Sequence, residues 1–236
     1  MKRFSMLLLN NNRSKAYLQN IIRCGYKPSS AVVMGDPTKQ TKSESLIQTI
    51  PGFSSYFDSG KSIYETLDEN GIPYAGVPHL DVNTPEVISH IKDMDAAYVI
   101  YSGPAGVILR DGILDAGKIF IHAHPGVLPD YKGSTTIYYS MLLRKELGCS
   151  VFTMNREIDG GEILLMKTFP VPMLPVDFDM VVDPLVRTDT LLEWLERDDL
   201  IPVPNDIGNT FYIVHPVLKH IARIKNLPLN KDNRSE

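Results

Sequence analysis

A chain of 236 residues, 43% of them hydrophobic, suits one large domain or one domain with an appendage. A formal net charge of −4 and an isoelectric point near 5.9 exclude a protein whose main task is gripping nucleic acid through a basic face. The two cysteines, Cys24 and Cys149, fit neither a disulfide framework nor a CxxC metal site, and no apolar run approaches the ~20 residues of a membrane span.

The opening "MKRFSMLLLNNNRSK" has an apolar core, Met6 to Leu9, too short for a signal peptide, so a buried first strand is expected over 4–10. A helix follows over 14–25, with Tyr17, Leu18, Ile21 and Ile22 at 3–4 spacing and Gly25 as its stop. The pattern then gives a strand at 29–35, a helix at 61–71 and a short strand at 73–77. A helix at 83–94 carries an N-cap and Pro85 in its first turn. The run 95–103 is continuously apolar, as strands buried on both faces are. "DGILDAG" reads as a short helix, 118–124 as a strand, 135–148 as a helix, and 149–155 and 162–171 as a closing antiparallel pair.

Strands alternating with helices predict an α/β fold, a Rossmann-like, mainly parallel twisted sheet with helices on both faces. Residues 1–171 form the expected catalytic domain. Residues 172–236 change character, with prolines at 172, 175, 184, 202, 204 and 216, and are expected as a small, mostly helical C-terminal extension with helices near 183–197 and 215–225. The polar segment 36–60, broken by Pro and Gly, reads as a long surface excursion with weak helix content.

Ligands bind such sheets outside the carboxyl ends of the strands. One of those ends carries "FIHAHPGVLPDYKG" (120–133), in which His122 and His124 stand two residues apart and so share a strand face. A metal, a proton relay or no function at all are the readings of such a pair. The metal reading needs another ligand, and His79, His90, His215 and His220 offer no recognisable spacing. No glycine loop of the GxGxxG or GxxxxGK type and no GxSxG elbow occurs. "NNNRS" (10–14) offers either helix N-terminal amides to an anion or an N-capped surface turn. "REIDGGEI" (156–163) is a turn by default, or a turn that carries Asp159 to the histidines.

"HAHPGVLPDYKG" followed by "DGGEIL" resembles the formyltransferase catalytic domain that uses N10-formyltetrahydrofolate. That family's signature is Asn-x-His-Pro-Ser-x-Leu-Pro-x-x-x-Gly, then Asp-x-Gly. His124, Pro125, Leu128, Pro129 and Gly133 match the first part, and Asp159, Gly160 and Gly161 the second. Three departures stand out. His122 occupies the family's Asn, Gly126 its Ser, and "NNN" replaces a glycine-rich turn after the first strand.

The resemblance implies a catalytic set of His122, His124 and Asp159, with His124 near the amine and formyl group and Asp159 setting the proton balance. The family's Asn donates to the formyl oxygen, and an imidazole N–H of His122 can replace that donation. The folate co-substrate is expected against Val107, Ile108, Leu109 and Ile158, for which ordinary core packing is the competing reading. The implied function is N-formyl transfer to a small amine, a nucleotide-linked amino sugar for surface polysaccharide. The alternatives are a hydrolase of formyl-folate, a transferase using another acyl or one-carbon donor, and an inactive folate- or nucleotide-sugar-binding protein. The expected setting is the cytoplasm, with no nucleic acid, membrane or metal involved. A homodimer through the acidic amphipathic helix 183–197 is a further expectation.

Overall fold

The computed structural model describes residues 2–36, 44–104, 106–206 and 211–225. Its centre is a seven-stranded sheet, formed by β1 (Phe4–Leu9), β2 (Ala31–Met34), β5 (Tyr74–Val77), β6 (Tyr98–Ser102), β7 (Ile119–His124), β9 (Glu146–Thr153) and β10 (Ile163–Pro170). The spatial order is β10-β9-β7-β6-β1-β2-β5. The five strands from β7 to β5 run parallel, and β9 runs antiparallel to both β7 and β10. The Rossmann-like α/β expectation and the antiparallel closing pair are therefore both met.

Local chemistry sets the helix ends. Asn11 starts α1 (Asn12–Arg23) by accepting from the Ser14 N–H, and Gly25 ends it at φ +83°. Ser62 and Glu65 form a capping box for α2 (Ile63–Glu69). Thr84 caps α3 (Pro85–Lys92) ahead of Pro85. After the short α4 (Asp111–Leu114), the helix expected over 135–148 is only α5 (Ile137–Arg144). It stops because Lys145 turns left-handed at φ +57°, and Glu146 already pairs with Pro170 in the sheet.

The period-2 alternation of the strands divides the core into two layers. Met6, Leu8, Ile100, Ile121 and Ala123 face the layer covered by α1, α5 and α6 (Asp183–Glu196). Leu7, Val99, Tyr101 and Phe120 face the layer covered by α3 and α4. His122 and His124 thus lie on the Phe120 side of β7.

The helix α6, led in by a π-helical turn at Phe178–Val182, buries 11 of its 14 residues against its own chain. It packs on α1, β9 and β10. Its apolar face is therefore not available to a second subunit, which corrects the expected dimer contact through this helix. The boundary at 171/172 also separates stretches that share one core, since Val181, Leu185, Val186 and Trp194 pack with β1, β7 and β9. Farther on, β11 (Phe211–Ile213) pairs in parallel with β8 (Lys132–Ser134), and α7 (Pro216–Lys225) lies on α5.

Residues 37–43 of the expected excursion lie outside the described residues. The rest carries a small antiparallel ribbon, β3 (Ile47–Gln48) with β4 (Phe57–Asp58), where weak helix was expected. Phe57 and Ile50 are buried, so the segment is anchored in the core. Buried Asp189 of α6 accepts from the Ser54 N–H (3.1 Å), the Ser54 hydroxyl (3.0 Å) and the Ser55 N–H (2.9 Å). Asp189→Ala leaves the buried Ser55 N–H unpaired, along with the more exposed Ser54 N–H, so a loss of about 1–3 kcal/mol is expected in urea unfolding.

Candidate functional site

β7 carries two imidazoles to the carboxyl edge of the sheet. The strand order reverses between β1 and β6, so the crevice beside β7 is where this fold type takes ligands. The turn after His124 is tied back to β9, where the Ser150 hydroxyl donates to the Gly126 carbonyl (2.8 Å) and accepts from the Leu128 N–H (3.0 Å). That brings the Tyr131 carbonyl to 2.7 Å from Nε2 of His124, with the Thr136 hydroxyl oxygen at 2.9 Å from the same nitrogen. The Thr136 hydroxyl gives its own proton to the Pro125 carbonyl (3.1 Å). Nε2 of His124 must therefore be the protonated, donating nitrogen, and Nδ1 is left with its lone pair.

Gly126 makes this packing feasible. A Cβ there would lie 2.5 Å from Thr136 Oγ1 and 2.8 Å from both His124 Nε2 and the Tyr131 carbonyl. The departure from the family's Ser is thus coupled to how His124 is held.

Nδ1 of His124 faces Asp159 Oδ1 at 3.5 Å. Asp159 sits in the left-handed region at φ +50°, which Asp tolerates better than most residues. Its Oδ2 accepts from the Gly133 N–H (2.8 Å). A Cβ on Gly161 would overlap the Thr153 carbonyl, so the chain leaves this turn only through glycine. Buried Asn205 closes the loop from outside, its amide donating to the carbonyls of Asp159 (2.6 Å) and Gly161 (3.0 Å).

His122 is wedged edge-on between Tyr101 and Phe152, with ring centroids 5.7 Å from each. Its Nδ1 donates to the Tyr101 carbonyl (3.2 Å), and its Nε2 faces Nη1 of Arg187 at 3.5 Å. A guanidinium only donates, so Nε2 is the acceptor and the ring is neutral. The N–H donation expected from His122 to a formyl oxygen is therefore already committed to Tyr101. Burial lowers the His122 pKa well below the ordinary value, and the cations Arg187 and Arg13 reinforce it. Burial likewise lowers that of His124, opposed by Asp159 and the Tyr131 carbonyl.

Sequence reasoning missed both arginines. Arg13, in "NNNRS", donates to the Ser102 hydroxyl (3.0 Å) and the Gly103 carbonyl, while the capping expected of that stretch falls to Asn11. Arg187, 8% exposed, is gripped by Asp183 through Nε (2.9 and 3.0 Å) and by the Ala123 carbonyl through Nη1 (2.6 Å). In sequence, Asp183 and Arg187 look like a solvent-facing i,i+4 pair. Nothing in the local spacing contradicts that reading, and only the burial of 11 of the 14 residues of α6 places the pair inside.

These groups meet in a cavity of about 490 Å³. His122, His124, Asp159, Arg13 and Arg187 form its polar end. Val107, Ile108, Leu109 and Ile158 line it, joined by Phe152 and Met154. Leu109 is fully buried, whereas Ile108 and Ile158 are 49% and 44% exposed. His79 instead pairs with Glu86 (3.0 Å), and His215 accepts from the Val217 N–H at the start of α7. Among the described residues no three metal-ligating side chains come together. Cys24 and Cys149 are free, and burial pushes the Cys149 thiol up to about 12.

The sequence profile described as "Formyl transferase" matches residues 32–177, more than half of the chain. The chain belongs to the formyl transferase family. It is 27% identical over 148 residues to the methionyl-tRNA formyltransferase of Ehrlichia canis, covering 57% of this chain and 47% of that protein. It thus spans about half the length of such relatives. Among solved structures, a sugar N-formyltransferase from a Shewanella species superposes with a TM-score of 0.55 at 15% identity, covering 95% of this chain and 87% of that one. The N-formyltransferase of Helicobacter canadensis, in complex with folinic acid and dTDP-3-aminofucose, gives 0.53 at 16% identity, covering 90% and 71%. These likenesses share the fold described above. Arg13 and Arg187 both lie outside the matched segment.

Gly126→Ala is expected to lower stability by about 1–3 kcal/mol through overpacking, read as a reduced melting temperature. A wild-type melting temperature in the variant would show that residue 126 does not constrain the His124 pocket.

Proposed function

We propose that this formyl transferase moves a formyl group from N10-formyltetrahydrofolate to the amine of a small substrate, a nucleotide-linked amino sugar. The observation that carries the reading is His124, its Nε2–H locked on Tyr131 and its Nδ1 turned to Asp159, at the polar end of a cavity with an apolar wall. Reaction requires a bond from the amine nitrogen to the formyl carbon, loss of the bond to the folate nitrogen, and removal and return of one proton. His124 Nδ1 is the base that receives the amine proton and returns it to the leaving nitrogen. Asp159 holds the imidazolium that forms in between. The fixed Nε2–H leaves only Nδ1 able to do this.

The residues present suit the folate. Val107, Ile108, Leu109 and Ile158 offer a flat apolar ring a wall, and part-exposed Ile108 and Ile158 leave its entrance open. A cavity of about 490 Å³ falls within the range of small-molecule sites. A net charge of −4 argues against tRNA as the acceptor, since gripping a phosphate backbone needs a basic surface. The Helicobacter canadensis relative, seen with folinic acid and dTDP-3-aminofucose, supports an amino-sugar nucleotide. Residues 1–171 would carry the chemistry. The extension 172–236 would complete the site through Arg187 and brace its loop through Asn205. Two free thiols support the cytoplasm as the setting, and no helix among the described residues is long and apolar enough to cross a membrane.

Incubation with N10-formyltetrahydrofolate and a panel of amino-sugar nucleotides, dTDP-3-aminofucose included, tests the reading through tetrahydrofolate release. Release that depends on the amine is expected. Release without an amine would instead indicate a hydrolase, and folinic acid binding without any release a binding protein. His124→Ala should lower kcat by roughly 10²–10⁴-fold, the usual worth of a positioned acid–base group.

The pH profile follows from the lowered His124 pKa. Protonation at Nδ1 disables the base, and a lowered pKa delays that protonation. The acid limb of kcat/KM should therefore fall below pH 6.5, the ordinary histidine value. An acid limb above 6.5 would contradict His124 as the base.

A further inference from the structure

The exchange of Asn for His at position 122 leaves a gap in the formyltransferase reading. The oxygen of the reacting formyl group needs a donor, and His122 has none to give. Its Nδ1–H is committed to the Tyr101 carbonyl, and its Nε2 accepts. Directly beyond it stands Arg187. Its Nε is held by Asp183, and its Nη1 by the Ala123 carbonyl and His122. The second terminal nitrogen, Nη2, makes no hydrogen bond to the protein among the described residues, although Arg187 is 8% exposed and lines the cavity with both histidines. Among the described residues, the two Nη2 N–H donors thus lack a protein acceptor, on a fixed cation that lines the polar end of the site.

We infer that Arg187 holds the formyl oxygen during transfer, and that His122 is the neutral residue that positions it. The inference rests on the formyltransferase reading. As the amine adds to the formyl carbon, the carbonyl π pair moves onto the oxygen, and an Nη2–H of Arg187 donates to it without giving up its proton. The proton traffic stays with His124. Asp183 compensates the buried guanidinium before reaction, so the resting site does not carry an unpaired charge there. A fixed cation that is itself buried suits charge that develops only in the transition state. The swap from amide to imidazole is then a relocation of the donor. The imidazole accepts where an amide would have donated, and a residue outside the matched family segment supplies the N–H.

Arg187→Met is the first test. A fall in kcat of roughly 100-fold or more is expected, as for removal of one oxyanion donor. Folinic acid affinity should stay within about threefold, because the apolar wall that receives the folate is untouched. Adding His122→Asn to Arg187→Met restores an amide to the family position, and should recover at least about tenfold of the lost rate. A kcat kept within about threefold, an equal loss of folinic acid affinity, or no recovery in the double variant would each overturn the inference.

Arg187→Met leaves Asp183 without its partner. If the variant does not fold, Asp183→Asn with Arg187→Met removes both charges, and the same outcomes apply. Formate supplies a readout independent of turnover, since it carries its charge on the oxygens of the same one-carbon unit. Titrated with ¹³C-formate by NMR, the wild-type protein should bind it, and the methionine variant at least about tenfold more weakly. No formate binding, or unchanged affinity in the variant, sinks the Arg187 inference. Wild-type protein that shows neither tetrahydrofolate release nor folinic acid binding sinks the formyltransferase reading instead.

Discussion

The hydrogen bond from Nε2 of His124 to the Tyr131 carbonyl, 2.7 Å long, decides which nitrogen faces the cavity. Much of the surrounding structure exists to hold it. The Ser150 hydroxyl braces the turn that brings Tyr131 round. Thr136 sends its proton to Pro125 and so can only accept from the imidazole. A Cβ at position 126 would press on the Thr136 hydroxyl, Nε2 of His124 and the Tyr131 carbonyl, so glycine there keeps the three in place. A tautomer is thereby imposed by backbone geometry, with no need for a carboxylate to select it. Asp159 is freed for the other nitrogen, where a proton would come and go.

The electrostatics of the pocket follow from burial more than from pairing. Both imidazoles are pushed toward neutrality by desolvation, and His122 further so by two guanidinium groups. Among the described residues, only Arg187 of those two cations has an ion-pair partner directly against it, in Asp183. A site so arranged favours negative charge arriving from outside and disfavours any second proton on the histidine pair. Both properties suit a reaction that builds charge on an oxygen while passing a proton through one ring.

Much of this was legible in the chain. Alternating apolar runs and amphipathic segments give the parallel sheet, because the 3–4 spacing of apolar residues in the helices sets them apart from the short apolar runs between them. Two histidines at i and i+2 must share a face of β7. Asp-Gly-Gly must turn, and the Gly161 position explains why: a side chain there would strike Thr153. The boundary between α5 and β9 was not legible, because Lys145 in a left-handed conformation leaves no compositional mark. Nor was the ribbon at 44–60, whose anchoring depends on Asp189 from far along the chain. The amphipathic look of 183–197 suggested a partner outside, where the true partner is the chain's own sheet.

By itself, the sequence determined the α/β architecture, the strand end at which the histidines emerge and the two-part pattern that places the chain among formyl transferases. These rest on local periodicity and on motif residues close together in the chain. Only the tertiary structure decided that His122 is an acceptor already engaged, that Gly126 serves His124, and that Arg13 and Arg187 enter the pocket from two different helices. Which nitrogen carries a proton depends on atoms brought together from β6, β7, α6 and the turn at 125–131. An arginine's neighbours 60 or so residues away in the chain (65 for His122 and Arg187) leave no trace in local spacing. Packing puts them in contact, and that contact turns a paired-histidine motif into a site with two unequal rings.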